Sequence, residues 1–128
     1  MNQETITVDV LVVGTGASGM ATAVTAASQG LKVLVVEKEA RYGGTTARSG
    51  GWLWVPGTNL AKEQGIHEPP GAAKAYFKHE TTTDFDEKHV DAFLANGPKA
   101  IEFFTKNTCV QFDMPAVFPN YHAEASGG

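Results

Sequence analysis

The stretch LVVGTGASGMATAV, residues 11–24, sets glycines at 14, 16 and 19 between an apolar run and an alanine-rich run. That placement restricts the fold more than any other feature of the chain. Thr7 to Gly14 is β-branched and almost wholly apolar, which suits a strand buried on both faces, as in a parallel sheet. Ala17 to Gln29 carries many alanines and few bulky side chains, a good helix able to lie close on a sheet, and Gly30 closes it. LKVLVVEK reads as a second buried strand. Val8 to Glu37 is therefore a β-turn-α-β unit, with a crossover expected to be right-handed.

Glycines at a strand-to-helix turn mean either a loose connection or a backbone kept bare for a ligand. The surroundings favour the ligand. Gly14 permits a tight turn, Gly16 lets a pyrophosphate approach the main chain, and Gly19 lets helix and strand pack closely. The helix N-terminus offers free N–H groups and partial positive charge to phosphates. Glu37, ending the second strand, would accept hydrogen bonds from an adenosine ribose and repel a 2′-phosphate, which disfavours NADP. NAD and FAD share this fingerprint, so the turn alone leaves the choice open.

Glu39 to Asn59 has neither a helical nor a strand period, and crowds glycines, hydroxyls and two tryptophans into a long ordered loop. From Leu60 the pattern is helical. NLAKEQG is a short helix ended by Gly65, and PPGAAKAYFKHET is a helix with proline in its first turn. DEKHVDAFLANGPKAIEFFTKN gives one or two helices with Val90, Phe93, Leu94, Ile101 and Phe104 on apolar faces, and a break is expected at Asn96–Gly97 before Pro98. CVQFDMPAVFP is expected to begin as a strand and end as a proline-bounded loop. No internal repeat or low-complexity segment is present.

Composition excludes several function classes. The 128 residues are 42% hydrophobic, enough for one folded core. A net charge of −4 argues against nucleic acid, which needs a basic face. Cys109 has no partner for an internal disulfide and no metal-ligand spacing around it. The N-terminus lacks a signal-peptide pattern, and no apolar run approaches the roughly 18 residues of a membrane span, so a cytoplasmic protein is expected. The chain ends on two glycines with no closing element, from which it is expected to be the first piece of a longer protein.

After Glu37 the sequence continues KEARYGGTTARSGGWLW. Glycine pairs separated by hydroxyls are not expected in a plain NAD domain. The pattern VLVVGTGASGMATAVTAASQGLKVLVVEK followed by GGTTARSGG resembles the FAD-binding region of the fumarate reductase and succinate dehydrogenase flavoprotein superfamily. SGGWLWVPG resembles most its 3-oxosteroid (3-ketosteroid) Δ1-dehydrogenase branch. The likeness runs over nearly the whole chain, strongest from Asp9 to Pro56 and again at FPNYH.

This resemblance implies an α/β fold: a Rossmann-like FAD-binding βαβ domain, the N-terminal part of a glutathione-reductase-type FAD domain, followed by helices. The βαβ unit would occupy about residues 7–38, a flavin loop 39–59, a helical segment 60–108, and a strand with an active-site loop 109–128, without a substrate-capping domain. The resemblance further implies FAD held extended. Gly14, Gly16, Ala17, Ser18 and Gly19 would meet the pyrophosphate, and Glu37 and Lys38 the adenosine side. Gly44, Thr45 and Thr46 would line the pyrophosphate and ribityl chain, with Ser49, Gly50 and Gly51 near the isoalloxazine. In membrane-bound members a histidine in this loop bonds covalently to the flavin. Gly44 stands at its place, which implies non-covalent FAD.

By the same resemblance Tyr121, in FPNYH, matches an active-site tyrosine thought to support a second tyrosine acting as base. A phenol can donate or accept, as such work requires. The implied reaction is α,β-dehydrogenation of a 3-oxosteroid or similar cyclic ketone: a tyrosine base removes the proton beside the carbonyl, and flavin N5 takes a hydride from the adjacent carbon. The partners implied are a steroid-like small molecule and an unidentified external electron acceptor. A fumarate-reductase-like alkene reductase and a non-catalytic dinucleotide-binding fragment are the rival readings, and the chain alone is expected to be inactive. His67, His79 and His89 show no metal spacing and read as solvated or capping residues. His122 adjoins Tyr121. Trp52 and Trp54 read as loop or core anchors, and Arg41 and Arg48 as phosphate neighbours or surface charges.

Overall fold

A computed structural model describes residues 5–115 and 119–128, which fall into two compact units, Met1–Leu53 and Trp54–Gly128. In the first unit, strand β1 (Val10–Val13) is followed by helix α1 (Ala17–Ser28) and strand β2 (Val33–Val36). The strands pair in parallel, Val10 with Val33 through Val13 with Val36. Parallel pairing needs a crossover, and α1 supplies it.

Helix α1 ends as its glycine requires. Gly30 has φ 82°, its N–H donates to the Ala27 carbonyl, and the Leu31 N–H reaches the Ala26 carbonyl. This pair of bonds satisfies carbonyls that a helix end leaves open. Val12 and Ala23 are buried between sheet and helix. The expectation of strands buried on both faces needs correction. Leu11 is 58% and Val13 79% exposed, because successive strand residues face opposite sides and α1 covers one side of the pair. The long loop carries a single 3₁₀ turn at Thr46–Arg48.

The second unit contains α2 (Asn59–Glu63), α3 (Ala72–Thr81), a 3₁₀ turn at Thr82–Asp84 and α4 (Glu87–Asn107). The Thr58 hydroxyl caps α2, and the Asp86 carboxylate caps α4 through the His89 N–H. Helix α3 starts after Gly71, so Pro69 and Pro70 precede it rather than sit in its first turn. Trp54, Phe77 and Phe93 stack edge to face, with ring centres 5.0 and 5.5 Å apart, beside buried Tyr76 and Val90. Lys74 Nζ bridges from α3 to Glu87 and Asp91 of α4 at 2.8 and 2.7 Å.

Two other expectations differ from the structure. Helix α4 runs unbroken through Pro98. The residue before a proline normally avoids helical backbone because its Cβ crowds the ring, and Gly97 has no Cβ. A Cβ at 97 would also lie 2.9 Å from Val55 Cγ1, so the glycine serves packing as well. Residues 109–115 form no strand. Their alternating pattern finds no neighbouring strand to pair with among the described residues.

Candidate functional site

The site is built on the β1–α1 turn. Gly14 has φ 98°, a conformation costly for any side chain, and its N–H donates to the Val36 carbonyl at 2.7 Å, tying the turn to the end of β2. Gly16 is the N-cap of α1 in extended backbone, and a Cβ there would project into open space. Gly19 is the opposite case: its Cβ would lie 2.0 Å from the Gly14 carbonyl oxygen. The three glycines thus have three distinct reasons, a turn, an open approach and a close contact.

The first main-chain bond of α1 runs from the Met20 N–H to the Gly16 carbonyl. The amides before it have no helical acceptor, as at every helix start. Thr46 Oγ1 accepts the Ala17 N–H at 3.1 Å, which leaves Ser18 and Gly19 to face outward acceptors. Thr46 gets there because the loop folds over the turn. A Cβ on Gly44 (φ 55°) would lie 3.2 Å from Gly16 Cα. Thr45 precedes the 3₁₀ turn. Ser49 then closes it, donating its hydroxyl to the Thr46 carbonyl at 2.8 Å and accepting the Gly51 N–H at 3.1 Å. Gly50 abuts the Trp52 ring, and Gly51 has φ 80°.

Glu37 connects the same parts. Its Oε2 accepts the Thr15 N–H at 2.9 Å and, at short range, the Thr15 hydroxyl, while Oε1 accepts the Glu39 N–H at 3.1 Å. These donors, the Thr15 hydroxyl foremost, hold the Glu37 carboxyl down to about 2. Thr15 Oγ1 in turn accepts the Gly43 N–H at 2.8 Å. One threonine therefore joins the glycine turn, the end of β2 and the long loop that follows it. Thr15 was not singled out from the sequence. Its only signal was a hydroxyl inside the turn opposite a strand-end acid.

Gly14, Gly16, Ala17, Ser18, Gly19, Glu37, Gly44 and Thr46 are thus brought together around one turn. Lys38 is not: among the described residues its ammonium pairs only with Glu39, at 3.7 Å and in solvent. Bare backbone, unpaired helix amides and adjacent hydroxyls form a donor set suited to a diphosphate.

In the second unit, Tyr121 is 98% exposed in a turn whose flanking residues are both held. Trp54 Nε1 donates to Asn120 Oδ1 at 2.8 Å, and His122 Nδ1 lies 2.6 Å from Glu80 Oε1. Phe118, part of the FPNYH motif, lies outside the described residues. His79 was expected to be solvated or capping. It is half exposed and also meets His122, with ring centres 5.6 Å apart, and shares Glu80 with it. Sequence reading missed this because the residues are distant along the chain. Among the described residues no helix is long and apolar enough to cross a membrane.

A profile of the FAD binding domain matches residues 9–127. The chain is 44% identical over 124 residues to 4-oxocyclohex-2-ene-1-carboxylate 5-dehydrogenase of Sinomonas cyclohexanicum, covering 97% of this chain and 21% of that protein. It is 40% identical over 120 residues to 3-oxosteroid 1-dehydrogenase of Mycobacterium tuberculosis, covering 94% and 21%. The crystal structure of 3-ketosteroid Δ1-dehydrogenase from Sterolibacterium denitrificans, in complex with 1,4-androstadiene-3,17-dione, superposes with a TM-score of 0.83 at 36% identity, covering 94% of this chain and 21% of that one. The chain spans about a fifth of the length of these relatives. The chain belongs to the FAD binding domain family, with FAD as cofactor.

Proposed function

We propose that this chain is the FAD-pyrophosphate cradle of a dehydrogenase that introduces a double bond beside the carbonyl of a cyclic ketone, a 3-oxosteroid or a smaller ring. The observation that carries the reading is the glycine turn itself: open space above Gly14 and Gly16, a helix N-terminus behind it, and Thr46 and Gly44 folded across it. The choice of reaction is supported by relatives whose names share one chemistry, dehydrogenation of a ring that bears an oxo group.

The chain's residues would divide the work as follows. Ser18 and Gly19 N–H groups bind phosphate oxygens, and the Thr46 hydroxyl, accepting from Ala17, donates its own proton to the same group. Glu37 has two donors on Oε2 and one on Oε1, which leaves acceptor capacity on Oε1 for a ribose hydroxyl. Ser49 and Gly51, bonded to one another and, through Ser49, to the Thr46 carbonyl, would hold the loop in shape beside the ring system, with the Gly50 N–H as the donor toward it. Bound FAD supplies an acceptor for the hydride that leaves the carbon next to the acidified one. Tyr121 would support proton removal at the carbon beside the carbonyl. Its exposed phenol, on a turn held at Asn120 and His122, suits contact with a substrate.

The test is anaerobic mixing of the FAD-loaded protein with a panel of 3-oxosteroids and 4-oxocyclohexanecarboxylates. Loss of the visible flavin bands is expected with at least one ring ketone, and Tyr121→Phe should slow that loss without releasing FAD. Flavin that ignores every ketone, yet once reduced is reoxidised by fumarate-like alkenes, would replace this reading with an alkene reductase.

A further inference from the structure

We propose that His79, Glu80 and His122 form a binding site for a divalent transition-metal ion of the zinc and nickel class. His79 and Glu80 lie near the end of α3, and His122 lies in the turn that carries Tyr121. Both imidazoles aim Nδ1 at one oxygen, Glu80 Oε1, at 3.2 Å from His79 and 2.6 Å from His122. All three donor atoms lie within 4.8 Å of one another.

Metal–nitrogen and metal–oxygen bonds near 2.0–2.1 Å put neighbouring ligand atoms about 3.4 Å apart in a tetrahedron. The His79–Glu80 spacing already matches to a few tenths of an ångström. The His122–Glu80 pair is closer, at the length of a charge-assisted hydrogen bond, and it would open by less than about 1 Å to take a cation. One carboxylate oxygen facing two imidazole nitrogens gains more from a shared cation than from two competing hydrogen bonds. Two imidazoles and a carboxylate suit Zn²⁺, Ni²⁺ or Co²⁺. Ca²⁺ and Mg²⁺ prefer all-oxygen shells. Half of each imidazole side chain is exposed, so an ion can enter from solvent and water can complete the shell. Glu124 adds negative charge near His122.

An ion here would fasten His122 to α3 by coordination, on one side of Tyr121, while Trp54 holds Asn120 on the other. The site would thus set how firmly the Tyr121 turn is presented. His89 serves as the internal control. Among the described residues it pairs with Asp86 alone, at 2.8 Å, and offers two donors rather than three.

The experiment is titration of Zn²⁺ into the chain by calorimetry, with Co²⁺ visible absorption as a second probe. One Zn²⁺ per chain is expected. His79→Ala and His122→Ala should each weaken it by about tenfold or more, while His89→Ala leaves it unchanged. Circular dichroism checks that each variant folds, and His79→Asn and His122→Asn repeat the test with smaller steric change. Zn²⁺ should also raise the Tm of the wild type and leave that of His122→Ala unmoved. No saturable binding up to about 1 mM, or binding that survives loss of both histidines, overturns the proposal.

Discussion

Gly19 lies directly beneath the carbonyl of Gly14, so close that a Cβ on it would stand 2.0 Å from the oxygen. Neither partner has room to yield. Gly14 is held at φ 98° with its N–H on Val36, and Gly19 is fixed in the first turn of α1. Gly19→Ala should therefore destabilise the first unit by about 1–3 kcal/mol, the usual range for overpacking. Alanine gains only about 1 kcal/mol over glycine in a helix, so the clash wins. Urea denaturation followed by far-ultraviolet circular dichroism measures the difference. A variant as stable as the wild type would mean that the helix start slides without cost.

Gly16→Ala should behave in the opposite way. Gly16 has φ −65° and ψ 178°, open to any residue, and its Cβ would meet nothing in the protein. Stability should stay within about 0.5 kcal/mol of wild type. The new methyl would occupy the space offered to the pyrophosphate, so FAD affinity should fall by at least about tenfold, or about 1.4 kcal/mol. Flavin absorbance titration reads this directly. Unchanged FAD affinity would show that the ligand does not pass over Gly16.

The Glu37 carboxyl, lowered from an ordinary 4.5 to about 2, makes the first unit pH-sensitive in a defined window. A carboxyl depressed on folding contributes stability that is fully present above its unfolded value and is lost as pH falls through the folded one. Wild type should therefore lose Tm relative to Glu37→Gln as pH drops from about 4.5 toward 2, and the two curves should run parallel above pH 5. Glutamine keeps one carbonyl acceptor for Thr15, so the variant should still fold. Parallel curves throughout the acid range would show that Thr15 contributes nothing to the ionised form.

Much of this molecule is written in local patterns, and what is not local was missed. The glycine turn is legible because each glycine answers a constraint within a few residues. The ends of α1 and α2 are legible for the same reason: Gly65, like Gly30, takes positive φ, and its neighbour Ile66 reaches back to the Ala61 carbonyl. The bridge from Glu37 through Thr15 to Gly43 spans three segments, and no window of sequence contains it. The meeting of His79, Glu80 and His122 likewise depends on how the Tyr121 turn returns to α3. Residues 109–115 carry a strand pattern without a strand, because a strand needs a partner that pattern alone cannot supply. Leu11 and Val13 read as buried because apolar runs do not say how many layers cover a sheet.

Pro98 tests whether tertiary packing overrides a helix breaker. Proline inside α4 leaves the Leu94 carbonyl without its N–H donor, a loss of about 3 kcal/mol in an exposed helix. Around it, the Asp86 cap and the Phe93–Phe77 contact hold the N-terminal half of the helix. Pro98→Ala should restore the bond at the cost of the packing made by a half-buried ring. A gain of about 1–3 kcal/mol by chemical denaturation is expected. A loss would mean that the ring itself is a packing requirement.

Gly44 bears on how the flavin is attached. With φ 55° and a would-be Cβ 3.2 Å from Gly16 Cα, the position takes a side chain only with strain on both segments. A histidine there would have to adopt left-handed backbone and push the loop off the glycine turn proposed as the cradle. The chain thus places no nucleophile at the point where the loop crosses the turn, and FAD should be held by hydrogen bonds and packing alone. Acid precipitation of the FAD-loaded protein should leave all yellow colour in the supernatant and a colourless pellet. Colour that stays with the precipitate through repeated washing would require a covalent bond from another residue of the protein.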